Sequence, residues 1–240
     1  MVTEPDMNLL KNLLEYLFWR SRGNRIAFDP AIPLSALLML VARRSLWGIR
    51  GLVRLLVFKR QFRLVFIGAG VEVRCHSHLT LGHGVTLDSH VFIDALSRQG
   101  VKIGKAVSLG RNASIRCTGS FADIGVGIEI GEGTGIGPFC YLGAAGGIRI
   151  GRNVIMGNHV SFLAENHRAD DIHQLIKLQG TTRQGITVGD DCWIGSNVVF
   201  LDGCSVGSGC IIGAGAVVRG HIPDQAIAMG VPARVVRIRQ

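Results

Sequence analysis

The stretch 163–187, LAENHRADDIHQLIKLQGTTRQGI, holds the residues best suited to chemistry. Glu165, Asn166 and His167 stand together near its start, and His173 follows. An imidazole titrates near neutral pH, so a histidine on a loop suits general-base work. An ordinary solvated loop histidine is the competing reading. A second candidate is Trp193, a large aromatic in a run otherwise built from small and slim outward residues. Exposed by its phase, it needs a cover: a ligand or another subunit.

The elements around these residues have an unusual period. Val188, Ile194, Phe200, Val206, Ile212 and Val218 recur every six positions. Gly189, Gly195, Gly207 and Gly213 follow four of them, while Leu201 departs from this rule. Cys192, Val198, Cys204, Cys210 and Ala216 occupy a second, slim position in each hexad. A period of six fits neither a helix nor simple strand alternation. It predicts a solenoid that turns every six residues and closes a three-sided coil every eighteen. Glycine after the apolar residue leaves room at the corner. In-phase sets extend upstream: Ile67, Val73 and Leu79; Leu81, Leu87 and Ile93; Ile103, Leu109 and Ile115; Ile130, Ile136 and Leu142; Ile150, Met156 and Phe162. They are separated by shifts of two or by irregular stretches at 95–102 and 117–128. About seven coils are expected. Against this regular scaffold the long break at 163–187 has no structural need, and such loops are where function usually sits.

Composition agrees. Thirty-three glycines without a collagen period, with 48% apolar residues, predict a β solenoid and exclude disorder. The six cysteines form no CxxC pair and no metal spacing. Cys192, Cys204, Cys210 and Cys140 read as packing thiols in a reducing compartment, although a Cys192–Cys210 bridge is conceivable one coil apart. The polar, acidic first seven residues predict no secretory leader.

The net charge of +9 is uneven: residues 1–60 hold ten Lys/Arg against four Asp/Glu. Residues 9–19 place leucines at helical spacing, and Pro30 and Pro33 mark a turn and a second helix start. The apolar run 34–42 is too short to cross a bilayer. Residues 43–60 then interleave Arg43, Arg44, Arg50, Arg54, Lys59 and Arg60 with apolar residues and Trp47. This basic amphipathic quarter predicts peripheral contact with an anionic membrane. Capping of the solenoid end, or packing between subunits, is the other reading. No nucleic-acid motif is present.

The hexads resemble the left-handed parallel β-helix of the hexapeptide-repeat acyltransferases. The resemblance covers about 65–240. Its landmarks are Asn166-His167 before a long loop, ITVGDDCWIGSNV at 186–198, GAGAVV at 213–218, IP at 222–223 and GVPARVVR at 230–237. These resemble the galactoside, maltose and polysaccharide O-acetyltransferases. The stretches VSLGRNASIRCTGS and YLGAAGGIRIGRNVIMGNHVSF resemble the polysaccharide branch. The resemblance implies an all-β solenoid, a left-handed parallel β-helix over 62–221. An α-helical extension over 1–61 precedes it and a tail over 222–240, expected to fold back on the last coils, follows. It implies acetyl transfer from acetyl-CoA to a sugar hydroxyl, in a homotrimer whose sites lie between subunits. His167 would be the base, with Asn166 beside it and Glu165 as a possible orienting carboxylate. Trp193, Gly195, Ser196, Ala214 and Gly215 would line the pantetheine path, with backbone N–H groups near Gly195-Ser196 serving the oxyanion. Arg234 and Arg237 would meet nucleotide phosphates, unless they form a solvated tail. The family's frequent Thr-Lys pair after Val218 is replaced here by Arg219-Gly220, and Arg219 stands in for the lysine. A cytoplasmic enzyme of surface-polysaccharide synthesis, at the inner face of the membrane, is expected. N-acetylation of an amino sugar, antibiotic acetylation and a silent scaffold are alternatives. A metal site of the γ-carbonic-anhydrase kind is disfavoured: His76, His78, His83 and His90 lack the third histidine upstream.

Overall fold

The computed structural model describes residues 31–57, 63–120 and 122–240, with Glu15 and Asp29 as single positions. The amphipathic stretch 9–19 therefore lies outside the described residues, Glu15 apart. From Phe66 onward the chain winds around three faces. Among the described residues sheet A has nine strands, and sheets B and C have seven each. Each strand pairs in parallel with its counterpart one coil on: Trp193 with Ile211, Val199 with Val217, Thr187 with Ser205. The seven-stranded faces correspond to the seven coils expected.

The hexad phase reads directly as burial. Val188, Ile194, Phe200, Val206, Ile212 and Val218 expose 4% or less, and Phe162 stacks on Phe200 with ring centroids 4.4 Å apart. The shifts of two have a plain cause. Strands Val101–Ile103, Ile128–Ile130, Ile148–Ile150 and Ile186–Val188 of sheet C each turn both end residues inward and the middle one outward. A face with two inward side chains adds two residues to the count.

Corners are held by the backbone. At the turn from sheet A to sheet B, the left-handed residues His90, Asn112, Phe139, His159, Asn197 and Gly215 stack in one column. Each donates its N–H to a carbonyl of the coil before: His159 to Pro138 at 3.0 Å, Asn197 to Asn158 at 3.0 Å, Gly215 to Ser196 at 2.9 Å. Gly195 has no room for a side chain, since a Cβ there would lie 2.5 Å from the Ala214 nitrogen.

The irregular stretches share one corner. The insertions 95–100, 117–127 and 164–185 all leave from the end of a sheet B strand and return at the start of a sheet C strand. Leaving and returning at one corner costs mainly loop entropy, which grows slowly with length. At the far end of the stack, Ala226–Met229 adds to sheet A and Arg234–Ile238 returns antiparallel along it.

At the near end lies helix α1, Leu34–Val57. Pro33 starts it, its carbonyl accepting from Ala36 at 3.0 Å and Leu37 at 3.3 Å. The apolar run 34–42 and the basic run after it, as far as Val57, form one continuous helix. Gly51 falls where a Cβ would lie 2.1 Å from the Val65 carbonyl oxygen, so it permits contact with the first coil. Leu37 and Trp47 are buried, and the Arg44 guanidinium lies 4.1 Å from the Phe66 ring centroid. Among the described residues no helix is long and apolar enough to cross a membrane.

Cys117, Cys140, Cys192, Cys204 and Cys210 are buried and Cys75 is exposed; all six are free thiols, with no Cys192–Cys210 bridge. Burial pushes Cys192 up to about 11, and Cys117 and Cys204 up to about 12. At pH 8 the native protein should therefore show one fast thiol toward an aromatic disulfide reagent, Cys75. The other five should react only on unfolding; two or more fast thiols would contradict this packing. Phe200→Ala should cost about 3–5 kcal/mol in urea unfolding by removing half of a stacked core pair; a loss under about 1 kcal/mol would mean a looser interior.

Candidate active site

His167 sits on a built element. Within the longest insertion, Asn166–His167 pairs antiparallel with Thr181–Thr182, and the Arg168 N–H donates to the Gly180 carbonyl at 3.0 Å. Beyond this ribbon the tip closes on itself. Gln179 Nε2 donates to the Asp171 and Gln174 carbonyls, both at 2.8 Å, and the His173 N–H donates to Asp171 Oδ1 at 2.9 Å. Asn166, His167 and His173 are exposed. The ribbon thus presents the imidazole outward while its backbone is fixed.

The root of the ribbon is clamped by charge. The register places residue 183 opposite residue 165, and Arg183 Nε donates to Glu165 Oε2 at 2.7 Å. Arg183 Nη1 donates to Asp123 Oδ2 at 2.8 Å and Nη2 to the Asp123 carbonyl at 3.2 Å. Asp123 Oδ1 also accepts from Arg98 Nη2 at 3.1 Å. The three insertions are therefore tied at their bases. On the other side of the root, Asp202 accepts the Gln184 N–H at 2.9 Å and the Gly185 N–H at 2.8 Å. Arg183 is only 16% exposed and Glu165 26%, so this pair is sheltered more than a surface ion pair. Glu165, expected to orient the imidazole, has its Oε2 engaged by Arg183. Arg183, Asp123 and Asp202 were not singled out by sequence reasoning. The one available signal was the opposite charge at 165 and 183, flanking the break.

A second group lies elsewhere on the prism. Trp193 stands on the outer side of sheet A between Ile155 and Ile211, 57% exposed, with Ile155 65% exposed beside it. The adjoining A–B corner carries Ser196, whose Oγ donates to Asn158 Oδ1 in a short contact, and the exposed Ala214 and Gly215. Open space surrounds Gly215. The Gly195 N–H donates to the Ile212 carbonyl at 2.8 Å. It is committed to the coil ladder and is not free for an oxyanion, which corrects that expectation for Gly195. Arg219 follows the last sheet B strand, and Arg234 and Arg237 lie exposed on the returning strand. Arg234 Nη1 donates to the Ala233 carbonyl at 3.1 Å. All three belong to the far end of the stack, but Arg219 stands at the B–C corner while Arg234 and Arg237 lie on sheet A.

Sheet A faces away from the B–C corner of the same coil. One chain therefore keeps the two groups of expected site residues apart: His167 at one corner, and Trp193, Ser196, Ala214 and Gly215 around another. Between the insertions, an open groove of about 230 Å³ runs over sheet C, lined by Lys102, Glu129, Arg149, Gln184 and Thr187 among others. The early histidines do not converge; His78 Nδ1 meets the Ser97 carbonyl at 2.9 Å. Among the described residues no group of three His, Cys, Asp or Glu is placed to hold a metal ion.

Residues 185–220 match the family described as bacterial transferase hexapeptide, six repeats. A protein of Mycobacterium tuberculosis named as a probable acetyltransferase is 32% identical over 233 residues, covering 92% of this chain and 69% of that protein. Galactoside O-acetyltransferase of Escherichia coli is 38% identical over 90 residues, covering 38% of this chain and 43% of the enzyme. The chain thus spans less than half the length of that second relative. Among solved structures, AntD, an N-acyltransferase from Bacillus cereus in complex with dTDP and 3-hydroxybutyryl-CoA, superposes with a TM-score of 0.50 at 15% identity. It covers 73% of this chain and 80% of its own. That likeness shows the fold, a left-handed parallel β-helix.

Replacing Arg183 with Met should loosen the ribbon without unfolding the prism. Amide exchange at Asn166–Arg168 and Gly180–Thr182 should accelerate at least tenfold while the thermal midpoint of the prism stays within a few degrees. Unchanged exchange there would mean the clamp does not hold His167.

Proposed function

The chain belongs to the hexapeptide-repeat acyltransferases built on a left-handed parallel β-helix, and on that premise we propose that it transfers an acetyl group from acetyl-CoA to a sugar hydroxyl. The observation that carries this reading is the outward imidazole of His167 on a ribbon clamped at its root by Arg183 and Asp202. A base must be within reach of the hydroxyl it deprotonates and held there. In the proposed reaction the His167 imidazole takes the proton of the acceptor hydroxyl. The oxygen attacks the thioester carbonyl directly, the carbon–sulfur bond breaks, and the imidazolium returns its proton to the departing thiolate. The products are an O-acetyl sugar and free CoA, with no acyl-enzyme.

The proposed donor path runs along Trp193, Ser196, Ala214 and Gly215. Small residues at the A–B corner let an extended pantetheine approach the backbone. Arg234 and Arg237 on sheet A supply guanidinium forks for nucleotide phosphates at the far end, joined by Arg219 from the B–C corner of the neighbouring copy. The separation of His167 from this path within one chain supports a homotrimer, in which the corner of one copy meets sheet A of the next. The exposed Ile155 and Trp193 are then covered by the neighbour. O-transfer is preferred to N-transfer because the E. coli O-acetyltransferase is similar at 38% identity, whereas the N-acyltransferase shares the fold alone. The acceptor is proposed to be a precursor of a surface polysaccharide, from the branch that the coils around Ser114 and Tyr141 resemble. Its synthesis is placed in the cytoplasm.

Thiol release from acetyl-CoA with a panel of sugar acceptors tests this. His167→Ala should lower kcat at least a hundredfold with the assembly intact, the size expected of a general base. Trp193→Ala should raise KM for acetyl-CoA while leaving the assembly in place. Undiminished turnover by His167→Ala would overturn the mechanism.

A further inference from the structure

We propose that the outward face of α1 is a docking face for the surface of an anionic lipid bilayer. The helix meets the first coil with Gly48 at Phe66 and Gly51 at Val65, and Leu37 and Trp47 on the same side are buried. The opposite side is apolar and open. Leu38 is 52% exposed, Met39 72%, Leu46 47%, Ile49 57%, Leu52 46% and Val53 56%. At 100° per residue these six fall within one arc of about 140°, the width of an apolar stripe. A stripe of this size on water is unusual unless something covers it.

Charge indicates what the cover is. The α1 sequence contains four arginines and no carboxylate. Arg43 and Arg50 lie along one edge of the stripe, and Arg43 Cζ is 5.2 Å from the Trp47 ring centroid. Apolar residues flanked by arginine are the pattern of a helix lying in a membrane interface, with side chains in the acyl boundary and guanidinium groups among the phosphates. Packing against a second copy would set arginines against a helix that offers no acid to meet them. No described helix crosses a membrane, so the contact is peripheral.

The placement has a consequence for the reaction. Sheet A runs from Phe66–Ile67, under α1, to the strands that carry Arg234 and Arg237. Docking through α1 sets the first coil on the lipid and the basic far end in the aqueous phase. A nucleotide-bearing donor would arrive from water, and an acceptor anchored in lipid would be presented at the other end. The docking itself does not rest on the transfer chemistry.

The test is flotation of the full chain with extruded vesicles, phosphatidylcholine alone or with about 30 mol% phosphatidylglycerol. Binding to the anionic vesicles should exceed binding to the neutral ones at least tenfold and weaken as NaCl is raised. Arg43→Gln with Arg50→Gln should lower it about tenfold or more, at roughly fivefold per arginine. Leu46→Glu with Ile49→Glu should abolish it, with circular dichroism and sedimentation coefficient unchanged. Equal binding to both vesicle types, or wild-type binding by both double variants, overturns the proposal. So does a Leu46→Glu, Ile49→Glu protein that changes its assembly state without lipid, because the face would then lie between copies.

Discussion

Every coil must return to register with the coil below, and the backbone hydrogen bonds between coils enforce this. At the A–B corner the left-handed residue of each coil gives its N–H to the previous coil, from His90 to Gly215. Each such bond contributes about 0.5–1.5 kcal/mol, repeated coil after coil, and among the described residues every step from sheet A to sheet B keeps the same four-residue connection. Gly195, pressed against Ala214, belongs to the same requirement. Extra residues can leave only where departure and return meet at one point. In this chain that point is the B–C corner, which emits the insertions at 95–100, 117–127 and 164–185. The placement of His167 follows from the stacking rule.

Much of this was legible in the sequence, because the prism interior is narrow. With one large residue per turn of the coil, the apolar positions recur with little tolerance, and Ile194, Phe200 and Ile212 could be placed inward from spacing alone. The shifts of two were visible as positions but not as a cause, since only pairing shows that Ile148 and Ile150 both point inward. The ribbon at 166–167 and 181–182 was not legible: two polar dipeptides carry no alternation. The Arg183–Asp123 link, 60 residues apart in sequence, depends on two insertions sharing a corner. Glu165 was read as a possible orienting carboxylate for the imidazole; that its Oε2 meets Arg183 from across the ribbon depends on a pairing the sequence does not display. Gly48 and Gly51 carried no signal of their own in the basic run, yet they are where α1 meets Phe66 and Val65.

The separation of His167 from the Trp193 group follows from the same geometry. A three-sided coil turns its corner insertion away from the opposite face, so a ligand touching both Trp193 and His167 must be shared between copies. Electrostatics is divided along the stack: arginines without acids on α1 at one end, Arg219, Arg234 and Arg237 at the other, and the linked Arg98, Asp123, Arg183 and Glu165 at the insertion roots. On the proposed reading, the division would separate three tasks: holding the protein in place, receiving an anionic donor, and fixing the base.

The most direct test of the shared site is subunit complementation. His167→Ala chains, inactive alone, and Trp193→Ala chains, assayed at acetyl-CoA far below their raised KM so that they are nearly silent alone, are unfolded, mixed in equal amounts and refolded together, and acetyl transfer is measured. If the base of one copy serves the donor path of the next, random mixing restores roughly a quarter of the wild-type sites. No recovery in properly assembled mixed oligomers would place both residues of a site in one chain and contradict the account.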